Sequence, residues 1–355
     1  MAEQLTAQQR AQLFAMSTRQ NYQMLAKETA AQGATTVQFS LPKARLLSKV
    51  MVEVDATVKV KHDSKTSIEV GAFTPYKVVR RIALDLNNGF SPYVVAGEEC
   101  AMYNSIDKNG DKVYTKSNYR NVVENGTFTA SAEGAENKMS FMLELPVSIN
   151  PRDPIGLILL QNDQTNVTLT VDIANGVDMF NDVDTTGYTV ELSNISVTPC
   201  LETFSIPANA NAYPDLSVIK LVNGRSDAMA STGQQVIKLA TGTIYRKLIF
   251  QVVDEDGVAM STEDITSNIE LVFNQADINY SISPKMLKAI NTRELGFELP
   301  EGMYVLDFSA GGNITNYGGT RDYIDTEKLT EFWLRFNTGK RGKVKIVSEC
   351  LARLQ

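Results

Sequence analysis

Apolar and polar residues alternate along most of the chain after Gly33. The alternating runs are rich in Val, Ile, Leu, Phe, Tyr and Thr and are separated by turn residues, as is typical of half-buried β-strands. Runs in the first half are residues 37–41, 50–54, 82–86, 167–171 and 188–192. Runs in the second half are residues 236–239, 248–252, 269–273, 304–308, 332–336 and 344–347. Many short strands with frequent turns predict an all-β protein built of β-sandwiches, interrupted by helices only near residues 284–295 and 325–329.

Residues 1–32 have a different pattern, rich in Gln and Ala and without proline. Thr6 and Gln9 have the spacing of a capping box, which predicts a helix start. Apolar and semi-polar residues then recur at helical spacing, namely Ala7, Ala11, Phe14, Thr18, Tyr22 and Leu25. We therefore expect an amphipathic helix with a thin apolar stripe. Such a helix is marginal by itself in water, so its stripe must dock on another surface.

Three short strings occur twice in the same order. Residues 297–300 (FELP) match 143–146 (LELP), and residues 347–351 (VSECL) match 197–201 (VTPCL). More loosely, residues 245–249 (YRKLI) match 76–80 (YKVVR), and each of these leads through an apolar run to a turn glycine. Offsets of roughly 150 residues indicate one module used twice. The duplication places Cys200 and Cys350 on equivalent strands, where we expect both to be small buried hydrophobic residues.

These patterns divide the chain into three parts. Residues 1–34 form an N-terminal amphipathic helix or arm, residues 35–203 the first module, and residues 204–355 the second. The segment 205–214 reads as the linker between the modules. Trp333 is the single tryptophan and lies in a strand beside Phe332 and Phe336, so we expect it in a core.

Composition excludes several classes of function. The 355-residue chain has a net charge of −7 and no basic stripe, which argues against specific nucleic-acid binding. Its longest aliphatic run, residues 155–160, is too short to span a bilayer, and the first residues lack the pattern of a secretory signal. One histidine, His62, and three distant cysteines give neither a zinc pattern nor a catalytic triad. We therefore expect no enzyme activity, no metal and no cofactor.

Acidic clusters are the remaining chemical candidates. Residues 107–111 (DKNGD) have the composition of a hairpin turn and not of a calcium loop. Residues 181–184 (NDVD) are a weak candidate for a surface cation site. A pair of carboxylates in a cleft, as in glycoside hydrolases, stays open because no spacing singles one out.

The chain resembles the double jelly-roll major capsid proteins of membrane-containing viruses, and among these the tectiviruses that infect Gram-positive bacteria. The strings that carry the resemblance are residues 17–24 (STRQNYQM), 41–50 (LPKARLLSKV), 87–92 (NNGFSP), 150–157 (NPRDPIGL), 202–207 (ETFSIP), 274–278 (NQADI) and 317–325 (YGGTRDYID). They cover essentially the whole chain, although none is a motif with a known chemistry.

The resemblance implies a specific architecture and role. Each chain would form two tandem eight-stranded jelly rolls, and three chains would form a homotrimer with a pseudo-hexameric outline. Such capsomers, assembled in the host cytoplasm, would tile an icosahedral virion shell over an internal membrane, beside penton and minor capsid proteins. The N-terminal helix would face the membrane or neighbouring trimers, and its candidate contact residues are Arg10, Phe14, Arg19, Tyr22 and Lys27. Residues 1–30 would then be dispensable for folding and needed for the particle.

Two alternatives remain at this point. A carbohydrate-binding β-sandwich or adhesin predicts a secretion signal and exposed aromatic residues. A glycosidase on a jelly roll predicts a paired-carboxylate cleft.

Overall fold

The computed structural model describes residues 7–33, 35–69, 71, 73–87, 89–107, 127–149, 154–180, 184–309 and 323–353. Residues 181–183 of the cation candidate, residues 108–111 of the predicted turn, and parts of the strings at 150–157 and 317–325 lie outside these ranges. Within them, strands dominate, as the alternation predicts.

The first module is a sandwich of two antiparallel sheets. Its strands are β1 (Gln20–Met24), β2 (Glu28–Ala30), β3 (Thr36–Ser40), β4 (Leu46–Lys61), β5 (Ser67–Glu69), β6 (Val79–Leu86), β7 (Phe90–Val95), β8 (Thr127–Thr129), β9 (Ala135–Pro146), β10 (Ile158–Leu159), β11 (Val167–Ile173) and β12 (Thr189–Phe204). One sheet has β1 and β2 on β12, then β4, then β9, with β10 pairing the start of β4. The facing sheet has the order β3-β11-β6-β7, and β5 pairs with β8 separately.

The second module repeats this arrangement. Its strands are β13 (Val218–Met229), β14 (Gly233–Leu239), β15 (Ile244–Asp254), β16 (Ile269–Phe273), β17 (Asp277–Ile282), β18 (Met303–Asp307), β19 (Ile324–Asp325), β20 (Phe332–Thr338) and β21 (Gly342–Arg353). One sheet runs β13-β21-β15-β18, with β19 pairing β15, and the other runs β14-β20-β16-β17.

The two modules have the same topology. Counting β1 and β2 as one interrupted strand and leaving out the short strands β5, β8, β10 and β19, each module has eight strands. The first, eighth, third and sixth form one sheet, and the second, seventh, fourth and fifth form the other. This is the jelly-roll connectivity. In both modules an α-helix joins the fifth strand to the sixth: α2 (Gly97–Asp107) in the first and α3 (Pro284–Leu295) in the second. The chain is therefore a double jelly roll.

The string matches that indicate duplication are only partly structural equivalents. Cys200 and Cys350 both lie on the last strand, as predicted. Residues 143–146 lie in the sixth strand, whereas residues 297–300 precede it, and residues 76–80 and 245–249 fall at different strands. Cys350 faces the core of its module, while Cys200 faces outward beside Met24, so only Cys350 is the buried hydrophobic residue we expected.

The predicted N-terminal helix is real but shorter than its sequence pattern. Helix α1 spans Ala7–Ser17, and residues 20–30 form β1 and β2. The helical expectation for Arg19, Tyr22 and Lys27 is therefore wrong. Both strands pair with β12, so residues 20–30 supply the first strand of the first jelly roll, and the boundary expected near residue 35 falls inside that module. Backbone pairing across a sheet edge outweighs a weak local helical preference.

The modules are joined edge to edge. Val222 and Asn223 of β13 pair in parallel with Tyr93 and Val94 of β7, which fuses one sheet of each module into a nine-stranded sheet. Three second-module residues, Val222, Ile249 and Val347, are fully buried and belong to the apolar cluster of the first module. The joint therefore continues the hydrophobic core and is not a loose linker contact.

Candidate functional site

A buried glutamate lies on the outward face of the last strand in each module. In the first module, Glu202 accepts hydrogen bonds from Ser48 Oγ at 3.2 Å and from the Tyr22 hydroxyl at 3.1 Å. Lys49 Nζ lies 3.5 Å from Glu202 Oε2 and 3.1 Å from Glu144 Oε2. Burial alone would lower the pKa of Lys49, but the two carboxylates raise it above its usual value. The lysine therefore stays charged in a largely buried site.

The second module has the same network with different donors. Glu349 is 2% exposed, and its Oε1 lies 2.9 Å from Arg246 Nε. The Tyr103 hydroxyl of α2 donates to its Oε2, and Lys220 Nζ donates to the same hydroxyl at 3.1 Å. Burial alone would raise the pKa of Glu349. The cations of Lys247, Lys220 and Arg246 outweigh burial and hold that pKa below its usual value.

A β-bulge at the same place shows that the two glutamates are equivalent. Glu202 pairs with Lys49, and the register then shifts because Ser48 is an extra residue. Glu349 pairs with Lys247, and the register shifts because Arg246 is extra. In each module the extra residue donates to the glutamate Oε1. Bulges re-aim side chains, and here the bulge brings a donor to a buried acid.

An asparagine anchors the connecting helix in each module. Asn104 Nδ2 donates to the Glu144 carbonyl at 2.7 Å, and its Oδ1 accepts from the Glu144 N–H at 2.9 Å. Asn291 makes the same pair of bonds to Val305, at 2.8 and 3.0 Å. Both asparagines thus satisfy part of the outer edge of the sixth strand, where no further strand pairs within the described part of the chain. The bonds fix α2 and α3 in equivalent positions.

Helix α2 forms the polar part of the joint between modules. Lys345 Nζ lies 2.7 Å from Glu98 Oε2, and Glu99 packs against Gly224, where an added Cβ would collide with the Glu99 carboxylate. Glu99 is 6% exposed, and burial raises its pKa to about 7, although the Ala96 N–H donates to it at 2.7 Å. Helix α2 therefore places carboxylates and Tyr103 on a basic sheet of the second module.

Phe14 is the one predicted contact residue that is buried in the chain itself. It is 4% exposed, it clusters with Leu46 and Leu157, and its ring meets Phe204 edge-on at 5.6 Å. Arg10 is half-buried on the same helix. Its charge adds to the Ser217 hydrogen bonds that lower the pKa of Asp215.

The other three predicted contact residues lie at or near the edge of the first module. Arg19 is exposed; its backbone N–H donates to Ser205 Oγ, and its carbonyl accepts from the Ser205 N–H. Tyr22 is 59% exposed, although its hydroxyl reaches Glu202. Lys27 is exposed and lies 3.4 Å from Asp55. The structure brings Arg10 and Phe14 together on one helix and leaves these three at the strand edge.

Trp333 lies on a sheet surface, which corrects our expectation of a core residue. Along β20, Phe332, Leu334 and Phe336 are buried in the core, so the alternating Trp333 faces outward and is only partly buried. Its indole nitrogen has no hydrogen-bond partner within the described ranges.

Potential metal ligands and thiols are the remaining reactive groups in the described part of the chain. Among the described residues, no three His, Cys, Asp or Glu side chains are grouped so that they could hold a metal ion. The helices in the same ranges include none with the length and apolar character of a membrane span. Burial raises the pKa of the Cys100 and Cys350 thiols to about 12, which makes both poor nucleophiles.

The double jelly roll with a helix-anchored joint defines a structural class, and solved structures match it along nearly the whole chain. The Sulfolobus turreted icosahedral virus structure has a TM-score of 0.69 at 15% identity, covering 94% of this chain and 91% of that chain. The capsid of the virus PBCV-1 gives 0.64 at 10% identity, covering 94% and 93%. The major capsid protein P2 of bacteriophage PM2 gives 0.56 at 8% identity, covering 95% and 98%.

No family model matches the sequence, and no curated protein matches it. At these identities the structural matches establish the fold that this chain shares with viral major capsid proteins of the double jelly-roll lineage.

Proposed function

We propose that this chain is a structural major capsid protein of a virion. Three copies form a homotrimer, six jelly rolls give it a pseudo-hexameric outline, and neighbouring trimers tile an icosahedral shell. The observation that carries the proposal is the equivalence of the two modules, including their anchored helices and buried glutamates. Two equivalent modules in each of three chains give a six-fold outline from three-fold symmetry, which is an economical way to tile a surface.

The finer assignment follows the sequence resemblance. We infer a tectivirus-like particle with an internal membrane, in which the trimers also contact penton and minor capsid proteins. Phe14 is buried within its own chain, so it does not contact lipid or a neighbouring trimer. We assign that contact to Arg10, Arg19, Tyr22 and Lys27, together with Met16, which is 86% exposed. Basic residues next to anionic headgroups contribute about 1 kcal/mol each, so this contact is shallow and reversible.

Sedimentation of the purified protein tests the oligomer, and electron microscopy tests the particle. We expect three chains per soluble particle at micromolar concentration, and hexagonal outlines in projection. A permanent interface of this kind buries about 2,000 Å² or more. A stable monomer over the whole concentration range would contradict the capsid assignment.

A carbohydrate-binding function is the second candidate, because Trp333 lies on an outward sheet face and is only partly buried. Tryptophan on a sheet surface is a common stacking platform for sugar rings, whose C–H groups pack against the π face. A glycan array with wild type and Trp333→Ala decides: binding that the substitution abolishes would favour the lectin reading, whereas no binding by wild type removes it.

A further inference from the structure

The contact between the two modules of one chain indicates how modules of different chains could meet. Helix α2 of the first module covers the outward face of the sheet β13-β21-β15-β18 in the second. Its contacts are Glu98 to Lys345, Glu99 to Gly224 and Tyr103 to Glu349. Among the residues that the structure describes, no module of the same chain lies in the corresponding place beside the equivalent helix α3 of the second module.

The asparagine anchors align the two helices residue by residue. With Asn291 in the place of Asn104, Lys285, Met286 and Ile290 occupy the places of Glu98, Glu99 and Tyr103. The two faces differ in burial: Glu99 is 6% exposed, whereas Met286 is 57% exposed. An apolar side chain is thus exposed on α3 at the position that α2 buries in the joint.

The bulges align the two receiving sheets in the same way. With Glu202 in the place of Glu349, the cross-strand row Met24-Cys200-Met51 replaces the row Gly224-Val347-Ile249. Val347 and Ile249 are fully buried under the first module, but Met24 is 59% exposed. The sheet surface that the first module buries on the second module therefore has an exposed equivalent on the first module itself. We call Met24, Cys200, Met51, Thr198 and Glu53 the receiving face.

The charges on α3 and on the receiving face are opposite to the charges at the equivalent positions of the joint inside the chain. Inside the chain, acidic Glu98 of α2 meets basic Lys345. On α3 the equivalent of Glu98 is Lys285. On the receiving face Thr198 replaces Lys345, and its cross-strand neighbour is Glu53. Neither Lys285 nor Glu53 has an ion-pair partner among the described residues.

We propose that the receiving face binds helix α3 of a second copy of this chain, with Met286 on Met24 and Lys285 beside Glu53. This assignment rests on the proposed trimer and names its contact surface. The charge reversal also separates the two kinds of contact. An acidic α2 is repelled by the receiving face and a basic α3 by the basic sheet of the second module, so each helix binds only its own sheet.

A charge exchange tests the assignment on the full chain. Lys285→Glu and Glu53→Lys should each raise the concentration at which trimers dissociate, at least about tenfold, because each places like charges together. The double variant restores opposite charges and should recover most of the loss. Lys328→Glu, on an exposed turn before β20, is the matched control and should leave dissociation unchanged. Analytical ultracentrifugation over a dilution series measures all four.

Cross-linking gives a readout that does not depend on the strength of one ion pair. In a Cys200→Ser background, the variant Met24→Cys with Met286→Cys should form disulfide-linked dimers and trimers on mild oxidation, seen on a non-reducing denaturing gel. Neither single-cysteine variant should do so. A linked ladder from the double variant alone supports the assignment.

The outcomes separate the two proposals. If wild type is a monomer, the proposed trimer itself is wrong. If wild type is a trimer but the charge variants dissociate normally and the double-cysteine variant stays unlinked, the trimer stands and the assignment of α3 to the receiving face is overturned.

Discussion

Glu99 is the residue whose ionisation opposes the joint between the modules. It lies against Gly224 with Lys345 and Glu98 nearby, and its pKa is raised from 4.5 to about 7 by burial. The folded protein therefore holds this proton at a pH where the unfolded chain has lost it. The stability that this group contributes is present at low pH and is lost as pH rises from about 4.5 through about 7.

We expect the free energy of unfolding to fall by up to about 3 kcal/mol between about pH 5 and about pH 8 from this group alone. Glu99→Gln should flatten that dependence, since an amide has no proton to lose. Urea denaturation at several pH values measures it. The exposed Glu294→Gln on α3 is the control and should keep the wild-type slope. A Glu99→Gln variant with an unchanged slope would contradict the assignment.

Trp333 carries a second prediction at this scale. A core tryptophan replaced by alanine costs about 3 to 5 kcal/mol. Because Trp333 faces outward and is only partly buried, we expect Trp333→Ala to lower the free energy of unfolding by about 1 kcal/mol. Its core neighbour Phe332→Ala should cost the full amount in the same thermal or urea experiment. Equal losses for the two variants would mean that Trp333 is a core residue after all.

At the scale of elements, each connecting helix is anchored by the side-chain amide of one asparagine. Asn291→Ala removes two hydrogen bonds to Val305 and leaves that backbone edge unsatisfied. We expect a loss of about 2 to 4 kcal/mol, with faster hydrogen exchange along α3. Arg293→Ala, at an exposed position two residues further along the same helix, should cost less than about 0.5 kcal/mol. Comparable losses for both variants would show that the amide is not the anchor.

The N-terminal elements change the expectation for truncation. Helix α1 and its Phe14 form a small satellite cluster, so deleting residues 1–17 should leave the jelly rolls folded. Deleting residues 1–30 also removes β1 and β2, exposes the edge of β12 and takes the Tyr22 hydroxyl from Glu202. We therefore expect the longer truncation to be unstable or insoluble, which thermal unfolding of the two truncated proteins compares directly.

Alternation of apolar residues was enough to predict an all-β fold, because period-two burial is a local signal. The strand conformation of residues 20–24 depends on contacts with residues that are distant in the sequence. Tyr22 is held by Glu202, 180 residues further along the chain. The same holds for the glutamates and asparagines of the joint. In the sequence, Glu349 has the pattern of an ordinary exposed residue. The fold places Arg246 and Tyr103 beside it. A single charged residue within an apolar strand was the one signal available.

At the scale of the whole molecule, close packing at Gly224 sets how tightly the modules meet. Gly224→Ala places a methyl group where the Glu99 carboxylate lies. We expect a loss of about 1 to 3 kcal/mol, because the neighbouring atoms are buried and must shift. Adding Glu99→Ala makes room, so the double variant should be more stable than the sum of the single losses predicts. Strict additivity in urea denaturation would mean that the two residues do not meet.

The parallel pairing of β7 with β13 affects the order in which the proposed trimer would assemble. Because both partners belong to one polypeptide, the linker holds them at a high effective concentration, and their contact forms during folding without any encounter between molecules. In the proposed trimer, six contacts between neighbouring modules close the ring, and three of them, one within each chain, are already made when the three monomers have folded. On that proposal, association between chains has to supply only the other three contacts. The rate of trimer formation would then depend on protein concentration, while the spacing of the two modules within each chain is fixed beforehand.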